Sequence, residues 1–250
     1  MRTPSRMDGS VLFMGEKEGV SRMKVVSWLL DLLYPPKCIF CGKLLKPEEE
    51  ICPSCWEQLP VTDSHSCVQS GVWFRTCVSP FFLEGLVRKA MHQYKFCYQE
   101  ANGVLFGRWM ARYAQAYFRE PFDLITWVPV HWRRRWKRGF DQSKLLAEEM
   151  ARAYGVKPVQ TLKKLRNTKP LSRTKGGKAV RRSLVEGIYG LSCSEHLEGK
   201  RVLLVDDVIT TGSTLNEASR MLRQAGAAEV CCVTAARSRD RRPSPLDFTR

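Results

Sequence analysis

The chain has 250 residues, 44% of them hydrophobic, which suffices for one sizeable core with a small appended module. No apolar run reaches the roughly 20 residues that a membrane helix needs, so a spanning segment is not expected. The formal net charge of +16 favours polyanionic partners, whether phosphate, diphosphate or nucleic acid, and composition alone does not choose among them.

Residues 1–24 carry no periodicity and read as a disordered extension or as the result of an upstream start codon. From Val25, "VVSWLLDLLYPP" is short and is interrupted by Asp31. Trp28, Leu29, Leu32 and Leu33 share one face of an amphipathic helix. No small-residue cleavage site follows it, which argues against a secretory signal.

Next comes "CIFCGKLLKPEEEICPSCW". Cys38 and Cys41 form one CxxC knuckle, and Cys52 and Cys55 form a second. Each knuckle puts two thiolates on one tight turn, and Gly42 suits the first turn. Two facing knuckles complete a tetrahedral four-sulfur zinc site. With no position left for water, this zinc is expected to be structural and to supply folding energy to a module of residues 25–62. Cys67 and Cys77, with His65 nearby, fit no standard metal spacing; Cys97, Cys193, Cys231 and Cys232 sit in apolar surroundings and read as core. Reduced cysteines without a signal peptide point to the cytoplasm.

Residues 60–71 are polar and read as a linker. Beyond them, strand and helix patterns alternate over 72–237. "VWFRTCVSPFF" reads as extended, and "LEGLVRKAMHQYKF" and "GVLFGRWMARYAQAYF" as helices. "DLITWVPV" reads as a buried strand, and "DQSKLLAEEMARAYG" as a helix capped by Asp141 and stopped by Gly155. Residues 159–165 could form a short strand, and "RNTKPLSRTKGGKAVRR" a mobile basic loop. Then come the strand "RVLLVDDV", the helix "TLNEASRMLRQAG" and the strand "AEVCCVTAA". Strands separated by helices imply an α/β fold: a parallel sheet flanked by helices. Residues 238–250 are charged, bear proline and read as a disordered tail.

Within this pattern, "VLLVDDVITTGST" at 202–214 carries the most chemistry. Ligands of parallel sheets sit beyond the carboxyl ends of the strands, and Asp206 and Asp207 lie at such an end. Thr210, Thr211, Gly212, Ser213 and Thr214 then offer hydroxyls and a close-approach glycine at a helix N-terminus, a cradle for a phosphate. The carboxylates suit hydroxyls or a metal ion beside that phosphate. A ribose 5-phosphate satisfies both halves.

These thirteen residues resemble the phosphoribosyl diphosphate motif of the type I phosphoribosyltransferases. "VPVHWRRRWKRGFDQSKLLAEEM" at 128–150 resembles a segment of the ComF/GntX family, as do the zinc knuckles and Lys95–Phe96 after a helix. The resemblance spans roughly residues 25–236. It implies a type I phosphoribosyltransferase-like domain with an N-terminal four-cysteine zinc module. It also implies that Asp206 and Asp207 hold the ribose hydroxyls and that residues 210–214 hold the 5-phosphate. Pyrophosphate leaving with Mg²⁺ would be met by His131, Arg133 and Arg138, while the basic segment equally suits an exposed polyanion-binding face. The sequence departs from the family at Asp141, Leu171, Leu184 and Ile188.

Three functions follow from the resemblance and the basic face together. One is a phosphoribosyl transferase with an unidentified acceptor. A second is a non-catalytic ligand-binding factor of DNA uptake, the role associated with competence, working beside a motor or recombination proteins. The third is a single-stranded DNA binder using the zinc module and the basic face, with Trp132 and Trp136 as stacking residues and Trp127 in the core.

Overall fold

The computed structural model describes residues 35–46, 49–96, 99–167, 186–192 and 196–239. The extension before residue 25, the helix expected from Val25, Cys97, Cys193, nearly all of the basic loop and the tail beyond Arg239 lie outside these residues. The chain divides into Met1–Gln58 and Leu59–Arg250.

In the first unit, Lys37 and Leu44 form an antiparallel bridge that closes a short turn. Within the turn, the N–H of Gly42 donates to the carbonyl of Cys38 at 2.8 Å, and Gly42 adopts φ +75°. A side chain rarely tolerates that conformation, which explains the glycine. The second knuckle wraps into helix α1, Pro53–Trp56, with Cys52 at its N-cap and proline opening the helix.

The second unit is built on a sheet whose strands run in the order β1-β2-β8-β7-β4, with β3 also paired to β8. The strands are β1 (Val68–Gln69), β2 (Cys77–Val78), β3 (Phe81–Phe82), β4 (Leu124–Trp127), β7 (Arg201–Ile209) and β8 (Glu229–Arg237). Pairing is parallel throughout except between β1 and β2. The expected parallel sheet is therefore a mixed one with an antiparallel edge. A separate antiparallel pair joins β5 (Leu162–Lys164) to β6 (Tyr189–Leu191).

Residues 60–71, polar enough to read as a linker, are built into this unit. Val61 bridges Phe81, the buried Thr62 hydroxyl donates to the carbonyl of Ser79 at 2.7 Å, and β1 extends the sheet. An edge strand has a solvent-facing side, so polarity here marks an edge rather than a tether.

Val202, Leu203, Leu204 and Val205 of β7 are all fully buried, as a central strand covered on both faces requires. Helix α3 (Glu100–Tyr117) and helix α5 (Gln142–Tyr154) pack together, and both also pack on the sheet, α3 against β8 and α5 against β7 and β4. Helix α6 (Ser213–Gln224) buries Leu215, Ala218, Ser219 and Leu222 against the sheet, the spacing of one helical stripe. Helix α2 (Gly85–Phe96) precedes α3. Trp127, Cys231 and Cys232 are core residues, as expected. Helix α4 (Trp132–Arg138) lies between β4 and α5.

The α3–α5 contact is close because Gly107 has no side chain. A Cβ there would lie 2.4 Å from the Cβ of Glu149. Alanine normally stabilises a helix interior by about 1 kcal/mol over glycine. At this position the clash reverses the sign. Gly107→Ala is expected to lower unfolding stability by about 1–3 kcal/mol in chemical denaturation; an unchanged or higher stability would mean the helices separate without cost.

Candidate functional site

The sulfurs of Cys38, Cys41, Cys52 and Cys55 all lie within 4.8 Å of one another, with Cys41 and Cys52 at 3.5 Å. Tetrahedral zinc with Zn–S bonds near 2.3 Å sets ligand sulfurs about 3.8 Å apart, so the four residues fit the ion. Cys38, Cys52 and Cys55 are buried and Cys41 is exposed; none is in a disulfide. No other such cluster occurs among the described residues. Cys67 and Cys77 are buried separately, Cys77 on β2 opposite Cys232.

At the carboxyl edge of the sheet, Asp206 and Asp207 lie inside β7, which continues to Ile209. Asp206 is buried; its Oδ1 accepts from the Ser143 hydroxyl and from the Asp207 N–H, both at 2.9 Å. Burial, then the charge of Asp207, pushes its carboxyl up to about 7, against the lesser pull of the two hydrogen bonds. Asp207 is paired with Lys95 at 2.8 Å, at the end of α2. The two carboxylates thus differ: one is paired and the other is buried and costly to ionise.

Residues 210–214 follow directly. Gly212 takes φ +73° at the N-cap of α6, with no side chain capping the helix. The hydroxyls of Thr211 and Ser213 meet at 3.0 Å. Residues 208–215 line a small concavity, which takes in Thr210 and Thr214 as well. A helix start without a side-chain cap, opening into a concavity, presents N–H donors to an anion.

Parallel pairing of β4 with β7, Trp127 opposite Val205, sets residues 128–131 beside the acids. His131 caps α4, its Nδ1 accepting from the Arg133 N–H at 3.3 Å. That bond makes Nδ1 the acceptor nitrogen. Burial, then Arg133, Lys164 and Arg134, holds the imidazole below its usual pKa. Arg133 is exposed, its guanidinium 5.2 Å from the Trp132 ring centre. Arg138 is half-buried over Phe96 and donates to Gln142 at 2.7 Å, within the field of Asp207 and Asp141. Of the three sequence candidates, Arg138 and His131 face inward and Arg133 lies on the outer side of α4. Asp141, the α5 cap, accepts from Lys144 at 3.2 Å and from Val130 at 3.3 Å.

Four contributors carried no local signal as site residues. Ser143 reaches Asp206 across 63 positions of sequence. Lys95 reaches Asp207 from the end of α2, across more than a hundred positions of sequence. Lys164 and Tyr189 arrive from the β5–β6 pair and share a field with both acids.

Residues 142–248 match the family model described as phosphoribosyl transferase domain, and residues 29–85 match the double zinc ribbon domain. The chain is 28% identical over 205 residues to Competence protein F of Haemophilus influenzae, covering 78% of this chain and 82% of that protein. It is 27% identical over 210 residues to DNA utilization protein YhgH of Escherichia coli O157:H7, covering 77% and 86%. It is 28% identical over 219 residues to Competence protein ComFC of Bacillus subtilis, covering 78% and 87%. No described helix is long and apolar enough to cross a membrane.

Two outcomes follow. Purified protein is expected to hold one zinc ion per chain by elemental analysis, and Cys52→Ser to hold none; retained zinc in the variant would remove the four-thiolate site. The second concerns Asp206. Its pKa lies above the unfolded value, so its stabilising contribution is present at low pH and is lost as pH rises from about 4 through 7. Asp206→Asn is therefore expected to raise the melting temperature at pH 8, with the gain vanishing near pH 4. A destabilised variant at pH 8 would show that the carboxylate is not strained.

Proposed function

We propose, from the premise that this chain is a ComF-family protein with a type I phosphoribosyltransferase domain and a zinc-ribbon module, that it binds phosphoribosyl diphosphate with Mg²⁺ at the carboxyl edge of its sheet. The observation that carries this reading is the adjacency of a carboxylate pair to a helix start without a side-chain cap, on one strand–loop–helix unit. The N–H groups and hydroxyls of residues 210–214 suit the 5-phosphate. Asp206 and Asp207 suit the ribose hydroxyls, since an ionised carboxylate only accepts and a hydroxyl can donate. Lys95, paired with Asp207 at 2.8 Å, holds that carboxylate in place.

Binding hydroxyl donors also offsets the strain on Asp206, because each new hydrogen bond to the charged form lowers its pKa. His131 and Arg138 border the place where a diphosphate would extend, and Mg²⁺ supplies charge compensation when bound. If transfer occurs, the C1–oxygen bond to diphosphate breaks, a C1–acceptor bond forms and the diphosphate leaves. No side chain at the site identifies the acceptor.

A second reading is compatible with the first. Trp132 and Trp136 lie one helical turn apart on α4, 60% and 87% exposed, among Arg133, Arg135 and Lys137. Exposed indoles interleaved with cations suit stacking on single-stranded nucleic acid. The names of the relatives, competence and DNA utilization, favour a role in DNA uptake.

Titration calorimetry with phosphoribosyl diphosphate and Mg²⁺ tests the main reading. Wild type is expected to saturate, and Asp206→Asn/Asp207→Asn to lose at least about 100-fold in affinity, roughly 2.7 kcal/mol. A folded, zinc-loaded wild type that does not bind overturns it. For the second reading, salt-sensitive binding of single-stranded DNA is expected to survive that double variant and to fall in Trp132→Ala/Trp136→Ala; DNA binding indifferent to the tryptophans would sink it.

A further inference from the structure

Helix α4 has two faces of different character. Arg134 and Arg138, four residues apart, are half-buried, with Arg138 in the field of Asp207 and Asp141. On the opposite face, Trp132, Arg135, Trp136 and Gly139 follow the spacing of one helical stripe and line a single cavity of about 340 Å³.

The two indoles differ in how they are held. Trp132 is braced, its ring centre 5.6 Å from that of His131 and 5.2 Å from the Arg133 guanidinium. Trp136 is 87% exposed, with no ring contact or hydrogen bond among the described residues. Tryptophan normally buries most of its surface, so such a pair on one turn of helix marks a contact surface. Residues four apart on a helix hold their Cβ atoms about 5–6 Å apart. A ring inserted between two others needs about 7 Å, twice the ordinary contact distance. The indoles border a cavity and do not touch each other, so a slight splay admits one ring and no more.

The charges select what that ring carries. Arg135 lines the same cavity, and α4 adds exposed Arg133 and Lys137 with no acidic residue. The charge of Arg135 reaches Asp141, but that carboxylate is already engaged as the α5 cap. An aromatic ring with an anion attached satisfies both indoles and the guanidinium, and a nucleotide has that form. A protein partner would have to bury several cations at the centre of its contact, where interfaces are depleted of charge. Bases inside a duplex are covered on both faces and must be unstacked before they can enter.

We infer that Trp132 and Trp136 clamp one unpaired nucleobase of a single-stranded nucleic acid, with Arg135 on the adjoining phosphate. The clamp rests on the single-strand reading above and narrows it, since recognition is then by a base held in a cavity rather than by charge along a surface. The arginines that face the acids lie on the other side of α4, so the clamp and the phosphoribosyl site fill independently.

The test is fluorescence anisotropy on the zinc-loaded full chain with three probes of equal length: oligothymidylate, an abasic strand and a duplex. Wild type is expected to prefer oligothymidylate to the abasic strand by about 5- to 100-fold. Trp136→Ala is expected to erase that preference with no change in melting temperature, because the indole is exposed. Trp136→Phe, which keeps a ring, is expected to stay within about 3-fold of wild type. Arg135→Ala is expected to keep the preference and to lower the salt slope by about 1. By calorimetry, ribose 5-phosphate is expected to bind both tryptophan variants as it binds wild type, and its saturation to leave strand affinity unchanged. An abasic strand bound as tightly as oligothymidylate overturns the clamp and leaves the single-strand reading standing. Duplex binding as sensitive to Trp136→Ala as single-strand binding also overturns it. If no strand binds, both fail. Sedimentation in which wild type dimerises and Trp136→Ala does not would assign the indoles to a second copy of the chain and overturn the clamp.

Discussion

The buried carboxyl of Asp206 is the constraint around which the second unit is arranged. A carboxylate inside a sheet is stable only with donors beside it, and the chain supplies two, the Ser143 hydroxyl and the Asp207 N–H. Ser143 can reach because Asp141 caps α5 and bonds the N–H of Val130, so one carboxylate fixes both the helix start and the end of β4. The parallel register of β4 and β7 then sets the height of His131 and α4 beside the acids. Three elements thus meet at their ends around a carboxyl that burial makes costly to ionise.

Some of this was legible in the sequence because its signals are local. The doubled CxxC gave the cysteine cluster, Asp141 and Gly155 gave both ends of α5, and the apolar run before Asp206 gave the central strand. What remained hidden depends on distant partners. Ser143 reads as an ordinary first-turn serine, Lys164 as one cation among many, and Tyr189 as an aromatic beside a basic loop. Nothing adjacent in sequence tells Arg134, half-buried, from Arg133, exposed on the same helix. The α4 helix was obscured by charge: seven residues with four arginines and a lysine offer no apolar stripe, and its ends are set by the His131 side-chain cap and by Gly139 in the left-handed conformation.

The zinc-ribbon match extends through residue 85, yet among the described residues one four-cysteine cluster is present. In the later part of the match, Cys67 and Cys77 are buried apart, and backbone pairing of β1, β2 and β8 holds the segment. Arg237 adds to this by donating to the carbonyls of Ser66 and Val68 at 2.6 and 2.7 Å. Hydrogen bonds and packing thus hold this stretch, whereas the first ribbon is organised around its sulfurs.

Asn216, in the first turns of α6, accepts from the N–H groups of both Val72 and Trp73, at 2.8 and 3.1 Å. One amide oxygen therefore measures the segment after β1 against the helix that opens at residues 210–214. Both donors are backbone, so the side chains at 72 and 73 are free to vary while the number of residues between β1 and β2 is not. An insertion here would pull one N–H off that oxygen and loosen the helix start at the opposite end of the bond. The length of this surface strap is thus fixed by geometry more tightly than its side chains are, and it is an unsuitable place for a tag or a graft despite its exposure.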